Sequence, residues 1–63
     1  MGIFKATMIA EGVYEADEET VIEAWQMLID TGVVWLLQGS FGRTATALIE
    51  QGICSPAPER PRA

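Results

Sequence analysis

Seven carboxylates, Glu11, Glu15, Asp17, Glu18, Glu19, Glu23 and Asp30, fall between positions 11 and 30 with no base among them. A cluster of this kind can ligate a divalent cation, work as an acid–base pair, or present a charged face to a partner. A calcium loop needs oxygens at its positions 1, 3 and 5, glycine at 6 and glutamate at 12, and no window here supplies that order. Glu15 and Glu19 stand close enough in sequence for acid–base work, but a short helical chain offers little concave surface to hold a substrate. Ser40 and Cys54 lack a base: histidine is absent, and the single lysine, Lys5, lies in the first few residues. One thiol without histidine makes neither a zinc site nor an intrachain disulfide. These residues argue against an enzyme and against a cofactor or metal. The acids are then either a solvated helix face or a partner-binding face made by Glu15, Glu18, Glu19 and Glu23.

The second unusual stretch is Gly39-Ser40-Phe41-Gly42-Arg43-Thr44. It matches neither the dinucleotide-binding glycine pattern nor the phosphate-binding loop ending in Lys-Ser or Lys-Thr. On a continuous helix Gly39, Gly42 and Thr46 share a face on which another helix packs closely, with Arg43 as a polar handle. The plainer alternative is packing within the chain, with Arg43 paired to a carboxylate of the acidic helix. Trp25 and Trp35 bear on the same choice, because buried aromatics carry much of a core's energy and tryptophan is enriched at binding hot spots. Trp25 lies on a helical apolar stripe and belongs inside. Trp35 sits in Val33-Val34-Trp35-Leu36-Leu37, apolar on every side, so Val33, Trp35, Leu36 and Met27 are surplus to a small core and mark a contact surface. The apolar and glycine face for a partner or a second copy is therefore Val33, Trp35, Leu36, Gly39, Phe41, Gly42 and Arg43.

The elements that must position these residues are helical. Val21, Ala24, Trp25, Leu28 and Ile29 recur at helical spacing, predicting an amphipathic helix over 17–30. Asp17 caps it, Glu18 and Glu19 favour the positive end of its dipole, and Gly32 ends it. Ile3, Phe4, Met8 and Ile9 predict a shorter helix over 3–11, broken at Gly12 by a turn carrying Val13 and Tyr14. The favoured assignment for the rest is one helix over 33–51, with Gly39 as the place for a kink and with Val34, Leu37, Phe41, Ala45, Leu48 and Ile49 facing inward. In the alternative, Ser40 caps a fresh helix from Phe41. Gly52 stops this helix, with Ile53 folding back on Leu48 or Ile49. The expected fold is all-α: a three-helix domain over 1–54 followed by a disordered tail over 55–63, which holds Pro56, Pro58 and Pro61 and no large apolar side chain. No internal repeat is evident.

The chain has 63 residues, 49% of them hydrophobic, which is one small domain that buries only about 60% of its unfolded surface and gains from self-association. Nine acids against four bases, net −5, oppose direct attraction to nucleic acid or anionic lipid. No apolar run approaches a membrane span, the N-terminal apolar stretch is too short for a signal peptide, and Ala6 stands where a myristoylation signal wants Ser or Thr. A lone cysteine fits a reducing, cytoplasmic setting.

Three blocks occur in order: L-I-D-T-G at 28–32, W-L-L-Q-G-S-F-G-R at 35–43 and L-I-E-Q-G at 48–52. Together they resemble a widespread family of short tailed-bacteriophage proteins of unknown function, over roughly residues 3–54. The resemblance implies a phage-encoded protein acting in the cytoplasm of an infected host, and it supplies no catalytic or binding residue. Leu36 departs from the polar residue common there, which adds to the apolar surplus.

The expected function is a non-enzymatic protein-binding module that modulates or inhibits a host machine, including defence complexes whose basic channels an acidic helix can occupy. Two alternatives stand beside it. One is a helix-turn-helix-like regulator using 17–30 and 41–51, with Gln38, Ser40, Arg43, Thr44 and Thr46 on its reading surface and help from Arg60 and Arg62. The other is a homo-oligomeric assembly protein pairing through Val33–Leu37.

Overall fold

The computed structural model describes residues 1–37 and 39–57. Gln38 and residues 58–63, including Arg60 and Arg62, lie outside the described residues, and with them most of the tail expected to be disordered. The described chain is all-α, with helices α1 (Ile3–Ala10), α2 (Glu18–Thr31) and α3 (Gly39–Glu50), and a 3₁₀ turn over Val33–Leu36 between the last two.

Helix α2 begins and ends as its sequence dictates. The Asp17 carboxylate accepts a hydrogen bond from the Thr20 N–H at 2.9 Å, and Glu18 and Glu19 occupy the first turn. At the other end Gly32 takes a left-handed φ of 80°, and its N–H donates to the Ile29 carbonyl at 3.1 Å. Its buried stripe, Ala24, Trp25, Leu28 and Ile29, is the floor of the molecule. Ala6 and Ile9 of α1, Val34 of the 3₁₀ turn, Ala45 of α3 and Cys54 join that stripe in one core. The Trp25 ring meets Phe41 with centroids 5.5 Å apart and planes tilted by 39°, which ties α3 to α2.

The continuous helix expected over 33–51 does not form. The chain makes one 3₁₀ turn, Leu37 is extended (φ −85°, ψ 176°), and α3 starts at Gly39, so Ser40 lies inside the helix and does not cap it. The break falls beside the poor helix former: glycine inside a helix costs about 1 kcal/mol relative to alanine, and the new helix starts at Gly39 instead of running through it. Breaking before Gly39 returns the chain at once, so that Val34, Leu37, Phe41, Ala45, Leu48 and Ile49 all reach the core, as their spacing predicts.

A recurring sequence unit, contrary to the expectation of none, is visible once the helix ends are compared. M-I-A-E-G-V-Y at 8–14, L-I-D-T-G-V-V at 28–34 and L-I-E-Q-G-I-C at 48–54 each close a helix, and their glycines, Gly12, Gly32 and Gly52, are the three with positive φ. At the first and third, paired backbone bonds complete the stop: Val13 N–H to the Met8 carbonyl and Gly12 N–H to Ile9, then Ile53 N–H to Leu48 and Gly52 N–H to Ile49, all at 2.9–3.1 Å. The shared units occupy only the helix ends, with little likeness in the residues between them. Two residues after the glycine, Val34 and Cys54 plug the core, while Tyr14 stays half-exposed.

Beyond Cys54 the chain is clamped. The Gln26 side chain accepts from the Ser55 N–H and donates to the Ser55 carbonyl, both at 2.8 Å, so Ser55, assigned to the tail from sequence, is held against α2.

Because only glycine adopts the left-handed conformation without steric cost, Gly32→Ala is expected to lower the unfolding free energy in urea by about 1–2 kcal/mol. Hydrogen bonds from Thr20, side chain first and backbone second, hold the Asp17 carboxyl below its ordinary value of 3.8. A depressed carboxyl stabilises the fold above 3.8 and loses that contribution as pH falls through its lower native value. Asp17→Ala should therefore reduce the urea midpoint at neutral pH and converge with the wild type in strong acid.

Candidate functional site

The acidic candidates Glu15, Glu18, Glu19 and Glu23 are all exposed, at and just before the first two turns of α2. Among the described residues no group of three or more His, Cys, Asp or Glu side chains is placed to hold a metal ion. Glu15 and Thr20 contribute to a groove of about 610 Å³ together with Phe4, Lys5, Ile9, Tyr14 and Ala16. The acids thus adjoin α1.

The apolar candidates divide. Val33 and Phe41 are partly buried and pack against the core, as does Met27 of α2, so each offers a partner less than its full side chain. Trp35 and Leu36 remain outside, 51% and 84% exposed, because in the 3₁₀ turn Val34 takes the buried position and Val33 the partly buried one beside it. The glycine face is not free for a foreign helix, since a Cβ placed on Gly42 would meet the Trp35 ring at 3.7 Å. Trp35 thus covers the strip that Gly42 opens. Gly39 is exposed at the start of α3. A second groove of about 490 Å³ runs beside Trp35, lined by Gly39, Gly42, Arg43, Thr46, Ala47 and Glu50. Arg43 lines it from α3, two turns before Glu50.

The two candidate surfaces stand at opposite ends of α2. The acids are at its first turns and the Trp35–Leu36 turn follows its last, about 20 Å apart along a helix of 14 residues. On the regulator's proposed reading surface, Ser40, Arg43, Thr44 and Thr46 are exposed on α3 with Arg43 the single base.

The match to a family model spans nearly the whole of this arrangement: Domain of unknown function (DUF7417) covers residues 3–60. The chain belongs to the DUF7417 family. The match continues past Cys54 into the proline-containing segment, beyond the end of the blocks that carry the phage resemblance, in keeping with the Gln26 clamp on Ser55. No curated protein and no solved structure matches the chain. No helix among its described residues is long and apolar enough to cross a membrane.

Two features of this DUF7417 chain were not anticipated from its sequence. Phe4 is 76% exposed on the outer side of α1, and Tyr14 is half-exposed beside it at the groove. The signal was present: with Ala6 and Ile9 inward, a residue two positions before Ala6 is rotated by about 200° and must face out. Gln26 is the other, a polar residue on an otherwise apolar helix turn whose partner lies 29 positions away.

Cys54 is a core plug. Its thiol is 3.9 Å from the Ile22 carbonyl, and burial, reinforced by the negative charge of Asp30, pushes its pKa up. Both effects suppress the thiolate, so a disulfide-exchange reagent at mildly alkaline pH is expected to modify the native chain slowly and the urea-unfolded chain at the rate of a free thiol. Equal rates would show that the C-terminal segment does not hold the thiol in the core.

Proposed function

We propose that this protein is a non-enzymatic protein-binding module whose principal contact is the Trp35–Leu36 turn. The observation that carries this reading is the exposure of two adjacent large apolar side chains, one of them tryptophan, on a turn with a fixed backbone. Gly32 sets the entry to that turn, Val34 anchors its middle, and Leu37 packs against the core at its exit. Leaving Leu36 in water forgoes about 1.5–3 kcal/mol and the uncovered half of Trp35 adds to that, and a rigid exposed aromatic is the kind of anchor that dominates binding energies. A partner that covers them recovers that energy without first ordering the turn.

The acidic end of α2 is a second contact, suited to a basic surface, and it accelerates encounter with such a surface more than it tightens the final complex. The ordered L-I-D-T-G, W-L-L-Q-G-S-F-G-R and L-I-E-Q-G blocks support a phage origin. From that origin follows the fuller form of the proposal: the module acts in the cytoplasm of an infected bacterium and inhibits or redirects a host macromolecular machine, a basic nucleic-acid-handling defence complex being the class that fits an acidic ligand. The scarcity of basic residues favours a protein partner over nucleic acid.

Affinity capture of the tagged chain from host lysate, with nuclease present, tests this. A host protein retained in stoichiometric amount is expected, lost with Leu36→Glu and captured more slowly, without the wild type's sensitivity to salt, when Glu18, Glu19 and Glu23 are reversed to lysine, both variants remaining helical by circular dichroism. Retention unchanged by Leu36→Glu would remove the turn as the contact, and capture of nucleic acid alone would replace a protein partner with a nucleic-acid one.

A further inference from the structure

The α1 side of the molecule carries a different pattern, independent of the Trp35–Leu36 turn. The surface there sets a projection next to a recess: Phe4 is 76% exposed on the rim of the 610 Å³ groove, whose floor and walls include Ile9, Tyr14 and Thr20. Phe4 borders the groove without filling it, and most of its ring stays in water. The same rim carries one charge of each sign, Lys5 from α1 and Glu15 from the approach to α2, both exposed. A patch with knob beside hole and plus beside minus is complementary to itself under a two-fold rotation, which is the condition for an isologous pair.

We propose that this groove is a self-association site, in which two copies pair about a two-fold axis with Phe4 of each seated in the groove of the other and Lys5 of each against Glu15 of the other. Charge favours a second copy over other occupants. The charged residues that line the groove are one of each sign, Lys5 and Glu15, so a like copy in two-fold register sets each against its opposite, whereas a ligand of one sign meets one of them unfavourably. The recurring helix-end unit agrees. Where Val34 and Cys54 close the core after Gly32 and Gly52, Tyr14 after Gly12 is 48% exposed and leaves its groove open, so the first unit is the one that a neighbour completes.

Area sets the strength. Phe4 and Tyr14 together expose about 250 Å² of aromatic surface, and with the rim counted a pair buries on the order of 1,000 Å², the lower end for specific interfaces. A pair of that size is smaller than obligate dimer interfaces, so it exchanges with free monomer.

Sedimentation of the full chain from micromolar to millimolar concentration tests the proposal. A monomer–dimer equilibrium is expected, with the dissociation constant raised at least about thirtyfold by Phe4→Glu and about threefold by Lys5→Glu or Glu15→Lys alone. The double variant Lys5→Glu with Glu15→Lys should recover the wild-type constant, which only a contact between those two positions produces and which does not depend on how the Phe4 variant folds. A chain that stays monomeric throughout, a dimer indifferent to Phe4→Glu, or a dimer abolished by Leu36→Glu and not by the α1 variants would each overturn it. The last result would assign pairing to the Trp35–Leu36 turn, so the outcome is separable from that of the capture experiment.

Discussion

One helix serves as the floor for every other element, because a chain of 63 residues contains material for a single small core. The stripe of α2 supplies Ala24, Trp25, Leu28 and Ile29, and each remaining piece reaches the core by landing on it. α1 arrives with Ala6 and Ile9, the 3₁₀ turn with Val34, α3 with Ala45 and the Phe41 ring, and the C-terminal segment with Cys54 under the Gln26 clamp. Each buried large side chain contributes about 1.5–3 kcal/mol, so no single docking suffices alone and all depend on the same surface.

That shared floor also decides what is left over. α2 is about 21 Å long, and once Val34 and the inward face of α3 have occupied its end, Trp35 and Leu36 have nowhere to go. At its beginning α1 contributes two buried side chains and turns Phe4 away. The exposed apolar groups are thus a consequence of a full core and not of a poorly formed one, and they gather at the two ends of α2, apart from each other. The acids follow the same geometry: they occupy the N-terminal turns of α2, where the dipole favours them, and so border the α1 groove and not the tryptophan turn.

Much of the fold was legible because α2 satisfies several local rules at once. The Asp17 cap, the first-turn glutamates, the spacing of Val21 to Ile29 and the stop at Gly32 agree with one another, and the structure realises each of them. The break within 33–51 was not legible, because an all-apolar stretch has no period with which to locate it. For the same reason Val33 read as surplus and Phe41 as both inward and contact residue, and each is partly buried against the core. The recurring units at Gly12, Gly32 and Gly52 escaped notice because they serve only to stop helices, leaving the intervening residues free to differ. Trp35 and Leu36 were recognised as surplus by counting alone, whereas Phe4 required the phase of α1, which the burial of Ala6 and Ile9 establishes.

Membership in DUF7417 gives the chain a family without assigning it a role, so its function rests on whether the surfaces outside the core are free of the fold. Acrylamide quenching of tryptophan fluorescence in two single-tryptophan variants measures this directly. With Trp25→Phe the remaining Trp35, 51% exposed, should be quenched nearly as freely as in the unfolded chain, whereas with Trp35→Phe the remaining Trp25, 8% exposed, should be strongly shielded. Equal shielding of the two tryptophans in the folded monomer would contradict the account, because Trp35 would then belong to the core and would not be surface held in reserve for a partner.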